Sequence, residues 1–539
     1  IKKGMVLEAK HISGNTQVYT FGEEESMLSD IFYMNNGFVT EGKFDVGEIT
    51  AQCSYKKYRL SDQFRLIIAQ YDEEGRLMNL ACQSSTNASS DLIMTKLDVI
   101  RSTGTMIKIM LWDQNLKPRK DCIVLEPYPE GYGNPTVSKE NFDIFLALGQ
   151  SNMAGRGKVE EQDIYPIPGA YLFNADDEWE VAQAQFVNNK WLGFNRYSSV
   201  KDEKKYQGLG PAVYFAKTLA EALSDTGREI GIVCNARGDT SIEQWQKGYA
   251  GSEDFNLYEE AVRRAKIAKE SGTLKGIIWH QGCANVNSTD YIEKFIKFVT
   301  DLRNDLECPD LPIIVGEIAG FGDSEEKRDK RMNFIRNYLK ELPKYVEHCY
   351  LISSAGNSDI GDKSHFDSRS QRKMGKAYAK SALMNIYGIS QPQKELINIV
   401  SVEASAGSLN VNAAKDGVTS IYTWDVEDTY WSAPIGSYWI AYFEEPKSVS
   451  EIKSYFRNPW NYTYQYKIYT RFNGEWSLAV DKSQTYYYEN VDLDGCVVDV
   501  LDNVLADAVK IEITGVCDID GNPITSGDIP AACHEFEFR

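Results

Sequence analysis

The sequence predicts a multidomain chain: a central α/β domain with a parallel sheet, flanked by N- and C-terminal β-sandwich domains. Three observations carry this expectation. The chain has 539 residues, more than one hydrophobic core usually serves. Both ends alternate apolar and polar residues in short runs, whereas the middle repeats buried strand, loop and amphipathic helix. Two segments rich in proline, glycine and polar residues separate these patterns.

Residues 1–125 are expected to form the first sandwich. "TMIKIMLW" (Thr105 to Trp112) alternates cleanly, and turn-rich segments such as "DEEGR" and "WDQNLKP" bound the runs. A linker follows over 126–140, where "EPYPEGYGNP" favours extended and turn conformations. The middle domain spans 141–388. Its predicted strands are 143–148, 229–234, 276–279, 312–316 and 349–353, too continuously apolar to face water on either side. Between them, "GPAVYFAKTLAEAL" and "YIEKFIKFVTDLRNDL" place apolar residues at helical spacing. Strands alternating with helices imply a parallel sheet covered on both faces, with the ligand beyond the carboxyl ends of the strands. "GISQPQKE" breaks the pattern again, and 396–539 returns to strand alternation, most clearly in "WNYTYQYKIYTRF" (Trp460 to Phe472).

Composition limits the function. With 42% hydrophobic and 25% charged residues the chain is that of a globular protein, and its net charge of -20 opposes binding to nucleic acid, which needs clustered cations. No apolar run approaches the ~20 residues of a membrane span. Ten cysteines include no CxxC pair, so neither a zinc ribbon nor a redox motif is indicated. Spacing leaves open whether Cys517 and Cys533 bridge. No metal-ligand spacing is present, and no cofactor for catalysis is expected.

The chemistry-bearing residues lie at the predicted strand ends. The first strand runs into "GQSNMAGRG" with Ser151 just past it, the second into "NARGDTSIEQW", the third into "WHQGCANV", and the last leads towards "GDKSHFDSRSQ". A hydroxyl, glycine N–H groups and a histidine with a nearby carboxylate are the parts of acyl transfer. A side-chain donor for the oxyanion would come from Gln281 or Asn285. Of the five histidines, His11 and His534 lie in the outer domains and His348 precedes a strand. His280 ends a strand without an acid beside it and reads better as structural. His365 has Asp362 three residues ahead, with Asp359 and Asp367 as fallback carboxylates. Blander roles are a helix cap for Ser151 or Asp362 and a small buried hydrophobe for Cys283.

The ordered blocks "GQSNMAG", "ARGDTSIEQW", "WHQG" and "DKSHFD" resemble the SGNH-type carbohydrate acetylesterases, more narrowly the group of sialate O-acetylesterases and family 6 acetylxylan esterases. The resemblance covers about 250 central residues. It implies a three-layer α/β/α SGNH hydrolase with Ser151 as nucleophile, His365 as base and Asp362 as its orienting acid. It further implies an oxyanion hole from the N–H groups of Ser151 and Gly238 and the side chain of Gln281. Gln150, Arg237, Cys283 and Asn285 become the substrate-binding candidates. Two positions depart from the family pattern: Cys283 stands where glutamate is usual, and Asp239 where glycine is usual.

The C-terminal region resembles the discoidin-like (F5/8 type C) sandwiches used as carbohydrate-binding modules, in "WSAPIGSYWIAYFEEPKSVSEIKSYF" and "AVKIEITG". That resemblance implies sugar stacking on Trp424, Trp431 or Trp460 at loop tips, and a structural Ca²⁺. The expected function is therefore a secreted or surface-attached acetylesterase acting on acetylated polysaccharide or oligosaccharide, with xylan and mannan foremost. A sialate O-acetylesterase is the alternative within the class, with Arg156 or Arg237 reading the substrate carboxylate. An inactive carbohydrate-binding surface protein is the alternative outside it.

Overall fold

The computed structural model describes residues 6–10, 16–20, 26–129, 132–250, 256–390, 394–423, 425–524 and 530–539. They form two compact units, one of residues 1–132, 164–166 and 184–190, the other of 133–163, 167–183 and 191–539.

The first unit is built on two sheets. Gly47–Lys56 and Ser90–Val99 pair antiparallel in one, and Phe64–Asp72 and Thr105–Asp113 in the other. Alternation does the work here: Ile49, Ala51, Cys53 and Tyr55 of one sheet and Leu66, Ile68, Ile107, Ile109 and Leu111 of the other share one core. The sandwich is not wholly antiparallel, because Glu126 and Pro127 pair in parallel with Lys43 and Phe44.

In the second unit the central sheet comprises β1 (Phe142–Gly149), β2 (Ala170–Phe173), β3 (Trp179–Val181), β4 (Glu229–Ala236), β5 (Thr273–His280), β6 (Ile313–Gly316) and β7 (Cys349–Ile352). Its order is β3-β2-β4-β1-β5-β6-β7, parallel throughout except for the edge strand β3. The five predicted strands are all present. β2 and β3, at four and three residues, are too short to carry a readable period.

Every residue of β1 is buried, so both faces of the sheet are covered. Phe145 points to one side and meets Phe215 of helix α2 (Pro211–Leu223) at 4.9 Å between ring centroids. Ile144, Leu146 and Leu148 point to the other side and share a core with Leu257 and Ala261 of α3 (Leu257–Ala268) and Phe295 and Phe298 of α4 (Tyr291–Asp305). The last helix, Ser368–Asn385, is capped by Asp367, whose side chain accepts the Ser370 N–H. It lies so close to α2 that a Cβ added to Gly375 would sit 2.4 Å from the Pro211 carbonyl oxygen. The strand order reverses around β1, which opens a crevice at its carboxyl end.

The C-terminal region of the same unit is an antiparallel β-sandwich dominated by two long strands, Tyr438–Phe456 and Val497–Asp518. Register shifts after Tyr442 and Val449 mark where they bend around a core that includes Tyr464, Tyr466 and Phe536. The expected sugar-stacking tryptophans need correction. Trp431 is 0% and Trp460 1% exposed, so neither offers a ring face to a ligand; Trp424 lies outside the described residues. Their aromatic surface is spent on packing instead. Cys517 and Cys533 are both free thiols.

Trp460 joins the sandwich to the α/β region. Glu317, the residue after β6, is fully buried, and its Oε2 accepts the Trp460 Nε1–H at 2.9 Å, the Ser353 hydroxyl at 3.0 Å and the Ser354 N–H at 2.9 Å. Its Oε1 accepts the Tyr422 hydroxyl. Burial pushes the Glu317 carboxyl upward, and these donors oppose that shift.

Candidate active site

Ser151 opens the short helix α1 (Ser151–Ala154) at the carboxyl end of β1. The turn into it needs a glycine: Gly149 has φ 137°, and a Cβ there would meet the His280 carbonyl oxygen at 2.3 Å. The Gln150 N–H donates to His280 O at 2.9 Å, and the Gln150 side-chain oxygen accepts the Gly282 N–H at 3.0 Å. Gln150 thus braces the β1 and β5 ends together. From β4, the Arg237 N–H donates to Gly149 O, and Gly238 follows so closely that its missing Cβ would lie 3.5 Å from the Ser151 Cβ. Among the described residues, neither the Ser151 N–H nor the Gly238 N–H has an acceptor in the protein.

The histidine comes from the loop after β7. His365 Nδ1 lies 2.6 Å from Asp362 Oδ2, while Asp362 Oδ1 accepts the N–H groups of Ser364 and His365, each at 2.9 Å. Burial would raise the Asp362 carboxyl, but the His365 ring and these N–H groups outweigh it and hold it below the usual range. Asp367 caps the following helix, which leaves Asp362 free for the histidine.

Asn152 brings the two parts together, and the sequence reading passed over it. Its Oδ1 accepts the Phe366 N–H at 3.0 Å and its Nδ2 donates to Ser364 O at 3.3 Å. The residue next to Ser151 therefore grips both neighbours of His365. The only signal for it was its place inside "GQSNMAG".

Gln281 does not fill the expected oxyanion position. It is fully buried, and both its N–H groups are committed, to Thr240 O at 3.1 Å and Asn285 Oδ1 at 2.7 Å. Asn285 is committed too: it accepts the Ile242 N–H and donates to Glu243 Oε2. The Arg237 guanidinium donates to the carbonyls of Val200 and Lys201. Cys283 packs against the hydrophobic core, and burial raises its thiol pKa, which disfavours a thiolate. Most of the expected substrate-binding side chains thus frame the site from behind. His280 is pushed down to about 3 by burial, as a neutral structural histidine would be. Asp239, in place of the family's usual glycine, has φ 61°, a left-handed conformation that Asp tolerates better than most residues.

One cation stands beside the serine. Arg156 Nη2 lies 2.7 Å from where a Gly238 Cβ would be, and its Nη1 donates to Gly155 O and Tyr206 O. Burial lowers its pKa, with Asp202 and Asp362 opposing, and among the described residues no carboxylate forms an ion pair with it.

Among the described residues, one cluster of side chains bears on the expected Ca²⁺. Asp492, Asp494 and Cys496 are the described group dense enough to hold a metal, but Asp492 already pairs with Lys380 and Lys453 and the third ligand is a thiol.

A serine, an oriented histidine and two unbound N–H groups at one sheet end can support acyl transfer, the chemistry of an ester hydrolase. Residues 141–384 match the family described as carbohydrate esterase, sialic acid-specific acetylesterase. A curated relative, a probable carbohydrate esterase of Arabidopsis thaliana, is 27% identical over 262 residues, 45% of this chain and 90% of the relative. The solved structure of that protein is similar at 26% identity and TM-score 0.37, over 46% of this chain and 99% of that one. A carbohydrate acetylesterase from Xanthomonas citri is similar at 14% identity and TM-score 0.32, over 90% and 95% of the two chains. A family 32 carbohydrate-binding module solved with 4,5-unsaturated mannuronic acid is similar over 27% of this chain and 98% of the module, at 19% identity and TM-score 0.21. The family match and the curated relative support a carbohydrate acetylesterase. No helix among the described residues is long and apolar enough to cross a membrane.

Proposed function

We propose that this chain is an SGNH-type serine carbohydrate esterase, secreted or surface-attached, that removes O-acetyl groups from plant polysaccharide such as acetylxylan or acetylmannan. Ser151 Oγ attacks the acetyl carbonyl while His365 Nε2 takes its proton, and Asp362 holds the ring in the tautomer that leaves Nε2 free. The tetrahedral oxyanion is received by the N–H groups of Ser151 and Gly238, each worth about 3 kcal/mol by analogy with other acyl-transfer sites. His365 then protonates the departing sugar oxygen. Water enters, His365 removes its proton, and attack on the acetyl-enzyme releases acetate and restores Ser151.

The observation that carries this reading is the Asp362–His365 pair, whose segment Asn152, the residue next to Ser151, binds on both sides of the histidine. O-acetylated sialic acid is the second reading, favoured by Arg156, a half-buried cation without an ion-pair partner beside Gly238. For polysaccharide binding by the C-terminal sandwich, Trp476, Tyr486 and Tyr487 are the exposed rings to test, in place of the buried tryptophans.

The test is acetate release from acetylated xylan, acetylated mannan and O-acetylated sialic acid, comparing the wild-type chain with Ser151→Ala. Release that vanishes in the variant supports the nucleophile and ranks the substrates. Activity that survives Ser151→Ala refutes the mechanism, and a folded wild-type chain that releases no acetate favours the inactive binding protein.

A further inference from the structure

We infer that the C-terminal sandwich positions the Asp362–His365 pair through Asp520, which makes Asp520 a positioning residue of the esterase proposed above. Between Asp362 and Ser364 stands Lys363, with φ 57°. A residue with a Cβ enters this left-handed region only at a cost, so something must hold it there. The reversal at Lys363 is what turns the Asp362 carboxylate back onto the N–H groups of Ser364 and His365 and onto the His365 ring.

Three restraints act on Lys363. Its N–H donates to Asp359 Oδ1 at 3.0 Å, and its carbonyl oxygen accepts the buried Arg331 Nη1–H at 2.9 Å. Its ammonium group bridges Asp359, at 3.6 Å, and Asp520 of the sandwich. The first two come from the α/β region itself; the third crosses to a residue 157 positions away.

Asp520 is well anchored for this role. It sits in a tight turn in which Asp518 Oδ1 accepts the N–H groups of Asp520 and Asn522, each at 2.9 Å. A Cβ on the next residue, Gly521, would touch Tyr486 at 3.4 Å, so the turn also packs against the neighbouring sandwich loop. That loop meets the far end of the histidine segment, where the Arg369 guanidinium lies 3.7 Å from the Tyr487 ring centroid and donates to Ser358 Oγ. The 358–369 segment therefore meets the sandwich at Lys363 and again at Arg369.

The experiment uses the full chain with Asp520→Ala, Lys363→Met and the double variant. Amide hydrogen exchange over residues 359–367 is expected to quicken in each. Unchanged exchange in Asp520→Ala overturns the inference whether or not the chain hydrolyses any ester, so this arm fails separately from the esterase reading. With a small acetyl ester as substrate, each single variant is expected to lose about fivefold in kcat at unchanged KM, near the upper limit for an exposed pair. The double variant is expected to be no worse than the singles, because the two residues act as one pair. Additive losses, a change confined to KM, or unaltered kcat would each refute positioning through this pair. Asp520→Glu, which keeps the charge, is expected to restore most of the rate.

Discussion

Replacing Asp362 by asparagine tests the proposed mechanism at one atom. The native carboxylate accepts on both oxygens: Oδ2 faces His365 Nδ1 at 2.6 Å, and Oδ1 takes two backbone N–H groups at 2.9 Å. An amide has only one oxygen. If it stays with the two backbone donors, the amide N–H faces Nδ1, which must then accept and carry no proton. The ring proton moves to Nε2, where the base's lone pair is needed. Restoring the active tautomer would swing the amide nitrogen against two backbone N–H groups, leaving two donors without an acceptor. At about 1–2 kcal/mol for each lost bond, the reactive state lies roughly 2–4 kcal/mol higher. Asp362→Asn should therefore lower kcat by about 30- to 1000-fold, with KM little changed because the substrate pocket is untouched. Acetate release under saturating substrate measures this directly. A variant within threefold of wild type, with its fold intact, would remove Asp362 from the mechanism.

Other outcomes follow from the same contacts. Asn152→Ala should reduce kcat by about tenfold or more because it loosens His365 relative to Ser151, and by stranding the buried Phe366 N–H it should also cost about 1–2 kcal/mol of stability; steady-state kinetics and calorimetry separate the two effects. Glu317→Ala strands the buried donors of Trp460 and Ser354 and should cost about 4 kcal/mol in a urea titration. Glu317→Gln should cost much less, because its oxygen keeps the three donors of Oε2 and the Tyr422 hydroxyl can turn to accept the amide N–H. The raised carboxyl of Glu317 contributes most to stability below the ordinary carboxyl range and loses that contribution as pH rises through the raised value, so Glu317→Gln should gain on wild type from pH 4 to 8. Glu243 has the opposite sign. Burial would raise it, but hydrogen bonds from Lys294, Ser241 and Asn285 lower it to about 2, so its contribution is present above the ordinary carboxyl range and lost as pH falls towards 2. Glu243→Gln should flatten the acid limb of the stability profile measured by thermal melts.

The sequence made the central sheet legible because its long strands are apolar on both faces, and such runs occur only where both faces are covered. β2 and β3, at four and three residues, span at most two repeats of the strand alternation, too few to distinguish it from chance. The Asp362–His365 pair was legible because its members are three residues apart on one loop. Gln281 misled because a residue's place in a motif gives no information about where its two N–H groups point, and here Thr240 and Asn285 take both. The tryptophans misled for a related reason: aromatic residues suit a sugar platform and a sandwich core equally well, and only burial separates the two uses. Asn152 and Asp520 act through contacts more than 150 residues away in sequence, which no local pattern encodes.

The carboxylate of Glu317 has a consequence for how such a chain can change over time. Its four donors come from two regions, two from the segment after β7 and two, Tyr422 and Trp460, from the sandwich. A sandwich exchanged for another, as a cassette would be, would leave a buried carboxyl group facing whatever the newcomer presented. The hydrolase and its C-terminal partner are therefore expected to be inherited together, and a graft of either would have to bring its half of this carboxylate's shell.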